Sequence, residues 1–560
     1  MPRSKEALLF QRQDLLDRIA NSDHLRKILL PERYIYPLFR PVEVNILMFT
    51  DASGGFDGRE FGLSEILNVL AVAPGPWVRF NVTTAHRNND ASAMLKNFRF
   101  DAENLSQYDE IWMVAVQRLP SYLSDAELRA ISEFMANGGG VFATGDHEDL
   151  GGGLCARIPR VRNMRMWYWP NPGPNGEPVA PKIDQANRHD TLTRRNGETI
   201  AFDHQSDDVP QEIMPVMYTR YIGFLRKASY PHPVLCGPNG VLKRMPDHPH
   251  EGHCYEPSDL NLSFTFNGAT FEEYPTGAGG LRPTPEVIAH SGNAHRDPAD
   301  VKGALNAKNF GSIGVYNGHQ ISIGRILVDS TWHHFFNINL TGRPGSSDPR
   351  AQQGFYGSAA GLDAYEDIKA YFRNIAVYLA RKSQVSAMRT RALWFIRFDD
   401  RIAMDLRVEH LGKLSPSERL LEYVRIGIVA RDVLGRYASR CQVLKWAFEL
   451  VELPLAIQRY IPPLDPVAAA GAIKEGEPAP PAELIDTLEV ALLGAAIYGA
   501  AADGPSFDDR AGLERIGDKG IAEIMQKSAA EAVNLTMNAF RQMSESGGGF
   551  VSQVERDLRL

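Results

Sequence analysis

Two kinds of apolar run alternate along the first 150 residues. Val44-Asn45-Ile46-Leu47-Met48-Phe49 is apolar almost throughout, which predicts a strand buried on both faces. Residues 77–82 alternate as a second strand. Residues 108–116 and 141–144 read as a third and a fourth. Residues 61–71 and 123–137 carry helical spacing between them. The second helix opens on Ser124-Asp125-Ala126-Glu127, a capping box in which the Ser and Glu side chains satisfy each other's backbone amides, with Leu123 and Leu128 placed as the hydrophobic staple. The order β-α-β-β-α-β predicts an α/β fold, a doubly wound and mostly parallel sheet with helices on both faces.

The periodicity then lapses. Residues from about 151 to 310 are rich in Pro, Gly, Asn and His, and read as a long irregular insertion over the sheet's carboxyl edge. Strands resume at 311–316 and 321–329, joined by Asn317-Gly318-His319, a hairpin signal. A long amphipathic helix at 361–382 closes this domain, taken as residues 41–385. Ahead of it, residues 1–40 form a helical arm, with Leu8, Leu9, Leu15, Leu16 and Ile19 on one stripe and Pro31 and Pro37 ending it. Residues 386–560 turn to helix and are expected to form an all-α C-terminal domain. Its helices fall at 416–434, after the capping box Ser415-Pro416-Ser417-Glu418, at 442–458, and at 482–502 and 509–543, with a Pro/Ala/Gly-rich linker at 461–481.

Composition narrows the classes of partner. A chain of 560 residues exceeds one core. The net charge of −8 gives no reason to expect nucleic acid or an acidic membrane. The four cysteines, Cys155, Cys236, Cys254 and Cys441, have no CxxC spacing, which fits a reducing compartment. The charged N-terminal stretch lacks the apolar core of a signal peptide. The uncharged run at 490–502 is shorter than the roughly 20 residues of a membrane span. A cytoplasmic protein without a membrane span is the expectation.

The candidate chemistry follows from the strand ends. Gly138-Gly139-Gly140 leads into the fourth strand, which stops on Gly145-Asp146-His147-Glu148; His333 and His334 follow the late strand, and Asp51 follows the first. In a parallel sheet these ends share one edge, where ligands gather. Imidazoles and carboxylates meeting there can bind a divalent metal or act as a general acid/base pair. Alternatively Asp146 is a carboxylate nucleophile with His333 or His334 as its base, or these residues merely cap a helix. A second cluster, His248, His250, His253 and Cys254, has the donor density of a metal site for zinc, iron or manganese, or is a polar loop. A third, Arg157, Arg160, Arg162 and Arg165 running into Trp167, reads as a substrate clamp for phosphate or sugar, or as a surface segment paired with acids. Cys155 reads as a buried structural cysteine.

Several of these phrases occur together in a known family. Leu105-Ser106-Gln107-Tyr108-Asp109-Glu110-Ile111, the 123–137 helix, the Gly-Gly-Gly-Val-Phe strand and Gly324-Arg325-Ile326-Leu327-Val328-Asp329-Ser330-Thr331-Trp332-His333-His334 resemble the class I glutamine amidotransferase-like superfamily, nearest its trehalose-utilisation (ThuA-like) branch, over about residues 42–382. The resemblance implies a flavodoxin-like scaffold. It also implies, for an amidotransferase, a Cys on the turn after the 141–144 strand and a late His with a Glu two residues on. Here the turn holds Asp146-His147 and no Cys, and His333-His334-Phe335-Phe336 has no nearby Glu. A Cys-dependent glutaminase is therefore not expected. The reading is a hydrolase- or lyase-like enzyme for a small polar, carbohydrate-derived substrate, assisted by a divalent metal. The alternative is a catalytically inert ligand-binding scaffold or sensor, whose C-terminal helices mediate homo-oligomer or protein–protein contact.

Overall fold

The computed structural model describes residues 38, 40–167, 189, 211–222, 226–246, 252–293, 304–342, 354–406, 413–435, 440–451, 482–506 and 509–543, with a few single positions between them. The expected N-terminal helix, the 461–481 linker, His248 and His250 lie outside the described residues.

Eight strands make the main sheet: β1 (Val42–Thr50), β2 (Val78–His86), β3 (Glu110–Val114), β4 (Gly140–Thr144), β5 (Met214–Pro215), β6 (Glu286–Asn293), β7 (Lys308–Tyr316) and β8 (Ile326–Asp329). They lie in the order β2-β1-β3-β4-β8-β7-β6-β5. The first five run parallel, and β7, β6 and β5 add antiparallel pairings. Four strand ends stand in register, Thr50 beside Val114, Val114 beside Thr144 and Thr144 beside Asp329. That common terminus brings distant residues of the chain to one edge.

Both faces of the sheet are covered, as the run of apolar residues on β1 requires. Ile46 and Met48 face a core shared with helices α1 (Ser64–Leu70), the short α3 (Asn337–Thr341) and α4 (Ala359–Leu379). Leu47 and Phe49 face the opposite core, with α2 (Asp125–Ala136) and with Leu154, Ile158 and Phe266 of the insertion. The capping box of α2 is formed as expected, Ser124 and Glu127 bonding each other's amides.

Two expectations need correction. The insertion is not irregular throughout, because β5, β6 and the start of β7 belong to it and extend the sheet. Register shifts between Val287 and His290 break the two-residue alternation that marks a strand in sequence. The strand expected at 321–329 begins only at Ile326. Gly318–Ile321 is a turn of 3-10 helix, and Ser322 has a φ of 65°, which no strand accommodates.

The C-terminal helices are α5 (Lys382–Ile396), α6 (Pro416–Leu434), α7 (Arg440–Phe448), α8 (Ala482–Ala502) and α9 (Asp518–Met543). Helix α5 runs through the boundary drawn at 385. One apolar cluster is continuous from the sheet into these helices, with Trp77 and Trp446 edge to face at 6.2 Å. The apolar run at 490–502 is buried in α8, packed against α6 and α9. Glycines let α6 and α8 touch along their backbones: a Cβ on Gly427 would lie 1.7 Å from the Val490 carbonyl oxygen, and one on Gly494 1.9 Å from that of Tyr423. Among the described residues no helix is long and apolar enough to cross a membrane.

Candidate active site at the carboxyl edge

Asp146 is the centre of the edge. Strand β4 ends at Thr144, and Gly145 starts the turn where a side chain does not fit: a Cβ there would lie 2.7 Å from both Leu150 O and the Trp167 ring. The next residue, Asp146, is fully buried and meets two imidazoles at one oxygen. His147 Nδ1 lies 3.0 Å from Oδ2, and His333 Nε2 lies 3.7 Å from the same atom. The other oxygen, Oδ1, accepts from Thr331 Oγ at 2.9 Å. His147 keeps 32% of its side-chain surface in solvent, whereas His333 is wholly buried. Burial alone would lower the His147 pKa, but the hydrogen bond and charge of Asp146, aided by Glu148, outweigh it and raise the value above the ordinary 6.5.

The loop after β8 is organised by similar pairs. His333 Nδ1 meets Asn339 Oδ1 at 3.0 Å; an amide oxygen only accepts, so the proton sits on Nδ1. The His333 ring lies tilted against Trp332 with centroids 3.7 Å apart, and Phe61 from the loop after β1 closes against it edge on. His334 Nδ1 bonds Asp329 Oδ1 at 2.7 Å, and Tyr371 of α4 donates to Oδ2 at 2.7 Å. Two Asp–His pairs therefore flank Thr331, one partly open to solvent and one buried.

Arg165 ties the two loops together. Its buried Nη2 donates to Asp146 O and, at 2.7 Å, to Ser330 O, and its guanidinium lies 4.4 Å from the Trp167 ring centre. Trp167, expected near substrate, thus packs under the turn. Asp51 is buried and braces the loop after β3. Its carboxylate accepts from the amides of Val116 and Gln117 and from the Tyr122 hydroxyl. Burial raises its pKa against those hydrogen bonds.

Other expected site residues lie apart from this centre. Glu148 is exposed, has a φ of 53° and pairs with Arg118. Arg157 pairs with Asp125 at the start of α2, and Arg162 with Glu273. Arg160 is buried beside Glu273, which bonds its backbone amide. His253 sits near His189 and Phe310, and burial, with Lys308 and Arg165, pushes its pKa down to about 4. Among the described residues no group of three or more His, Cys, Asp or Glu is arranged to hold a metal ion.

Thr331, Asn339, Asp329 and Tyr371 complete the arrangement and were not among the expected site residues, and Arg165, expected to clamp substrate, instead holds backbone carbonyls of both loops. Asp329 and Thr331 carried a signal, since they stand at a strand end directly before the two histidines. Compared with family models, curated proteins and solved structures, the chain finds no match.

Proposed function

We propose that the chain is a hydrolase- or lyase-like enzyme acting on a small polar substrate, with His147 as its general acid/base. The observation that carries this reading is the Asp146–His147 pair. A buried carboxylate fixes Nδ1 of a half-exposed imidazole, leaving Nε2 as the atom through which the ring exchanges a proton with a substrate or a water. Asp146 holds the His147 pKa above the ordinary imidazole value against the effect of burial. Thr331 holds the carboxylate at Oδ1, and Arg165 holds the Asp146 backbone carbonyl.

The scaffold we assign is the flavodoxin-like one of the class I amidotransferase-like superfamily, in its ThuA-like branch. The parallel order β2-β1-β3-β4-β8 supports it, as a 2-1-3-4-5 sheet with the insertion ahead of its fifth strand. A divalent metal joins this reading through His248 and His250 if they bring further donors to the edge, and metal analysis of the purified protein decides that point.

The test is turnover of a panel of small esters, amides and glycosides by wild type, His147→Ala and Asp146→Asn. A substrate of this site loses about 10²- to 10⁴-fold in rate in His147→Ala. Equal turnover by wild type and His147→Ala overturns the assignment.

A further inference from the structure

The arginine-rich segment reaches the carboxyl edge only through Arg165. Arg160 sits elsewhere, beside Glu273 at the end of the hairpin Ser263–Phe266 and Ala269–Glu272, and is 2% exposed. Its main chain is held from both sides: the amide donates to Glu273 Oε1 at 2.5 Å, and the carbonyl accepts from Tyr274 Oη at 3.3 Å. Its guanidinium is not held in this way. Nε and Nη1 are both buried, and among the described residues no acceptor meets either. Glu273, the carboxylate of this cluster, is engaged by the Arg160 amide and by Arg162 Nη1 at 3.2 Å. Arg282 adds a third guanidinium, bonded to Tyr274 O, Asn261 Oδ1 and Leu260 O. Tyr316, fully buried on β7, packs its ring 5.4 Å from that of Tyr274, whose hydroxyl bonds the Arg160 carbonyl, and among the described residues its own hydroxyl has no partner.

Two buried guanidinium groups, Arg160 and Arg162, thus share one carboxylate, Glu273, while the half-buried Arg282 is bonded to the neighbouring Tyr274 carbonyl. A buried cation lacking its counter-charge is destabilising by several kcal/mol, and each orphaned donor by about 1–3 kcal/mol. A ligand that relieves both must be anionic and must offer several acceptor atoms, because Nε and Nη1 lie on different edges of the guanidinium and the phenol is a third donor.

We propose that Arg160 and Tyr316 form a buried binding site for a small oxyanion, a carboxylate or a phosphate, that fastens the insertion to the sheet. The site is separate from the carboxyl edge and does not depend on the acid/base reading. Tyr316 pairs with Ile326, and Ile326 with Val141, three residues back from the Asp329–Thr144 terminus. That is on the order of 10 Å along the strands. Burial pushes the Tyr316 phenol up to about 12, so it remains a hydrogen-bond donor at neutral pH.

Thermal unfolding of the full chain at constant ionic strength tests the site, with inorganic phosphate and acetate each titrated against chloride. A saturable rise in Tm is expected, in phosphate for a phosphate site or in acetate for a carboxylate site. Arg160→Met should abolish it, and Tyr316→Phe should weaken the apparent affinity about tenfold. Identical Tm values in the three salts overturn the proposal, as does the same rise in Arg160→Met. If Arg160→Met does not fold, Tyr316→Phe decides, because it removes a single hydroxyl. An unchanged anion affinity in that variant overturns the site as drawn.

Discussion

Thr331 Oγ donates to Asp146 Oδ1 at 2.9 Å, joining two fully buried residues 185 positions apart in the chain. The same Thr331 oxygen accepts from the His333 amide at 3.1 Å, so one hydroxyl sets both the carboxylate and the loop that carries the second imidazole. Thr331→Val keeps the shape and removes both roles. It should destabilise the chain by about 2 kcal/mol, since the buried carboxylate loses a donor. Thr331→Ser should recover most of that. Urea denaturation of the three proteins measures the difference, and a Thr331→Val protein as stable as wild type would remove Thr331 from the framework of the site.

His147 has a raised pKa because Asp146, with help from Glu148, outweighs burial. A histidine with a folded value above 6.5 binds its proton more tightly when folded. Its contribution to stability is complete below pH 6.5 and disappears as pH rises through the folded value. In Asp146→Asn the burial penalty remains and the opposing charge is gone, so the His147 value should fall below 6.5. Titration of the His147 ring proton by NMR reads this directly. A value that stays raised in Asp146→Asn would place the source of the shift in Glu148.

What could be read from the chain depended on how local its cause was. The Ser124–Glu127 box is settled within four residues, and it forms as written. Asp146, His147 and His333 were legible because a parallel sheet puts strand ends on one edge whatever the lengths between them. The partners of those residues were not legible. Thr331 meets Asp146 only because Asp329 pairs with Thr144, and Arg165 reaches Ser330 only across the fold. Strand β6 escaped notice for a different reason: its shifted register between Val287 and His290 removes the alternation by which strands are recognised.

The contact between α6 and α8 sets two effects against each other. Replacing a helical glycine by alanine favours the helix by about 1 kcal/mol. At Gly427 the new Cβ would lie 1.7 Å from a backbone oxygen of α8, and only separation of the two helices relieves that. Overpacking of this kind costs about 1–3 kcal/mol or more, so Gly427→Ala should lower Tm despite the better propensity. Gly494→Ala should behave alike, for it meets the Tyr423 carbonyl oxygen in the same seam. A Tm raised by either substitution would show that the seam is looser than described.

Cys155 lies one turn of chain past the elbow, with its Sγ 4.0 Å from Thr144 O and no surface exposed. Burial pushes its thiol pKa well up, the charge of Asp51 adds to that, and Arg165 opposes it. The thiolate is the reactive form of cysteine, so this thiol is held inert. Iodoacetamide at neutral pH should leave Cys155 unmodified in the native protein, along with the buried Cys236 and Cys254. All three should label once the chain is unfolded, as peptide mass mapping would record. Turnover should survive the native treatment, because the proposed chemistry passes through His147. Rapid labelling of Cys155 in the native state, together with loss of turnover, would put a thiol nucleophile beside Asp146 and overturn the acid/base assignment.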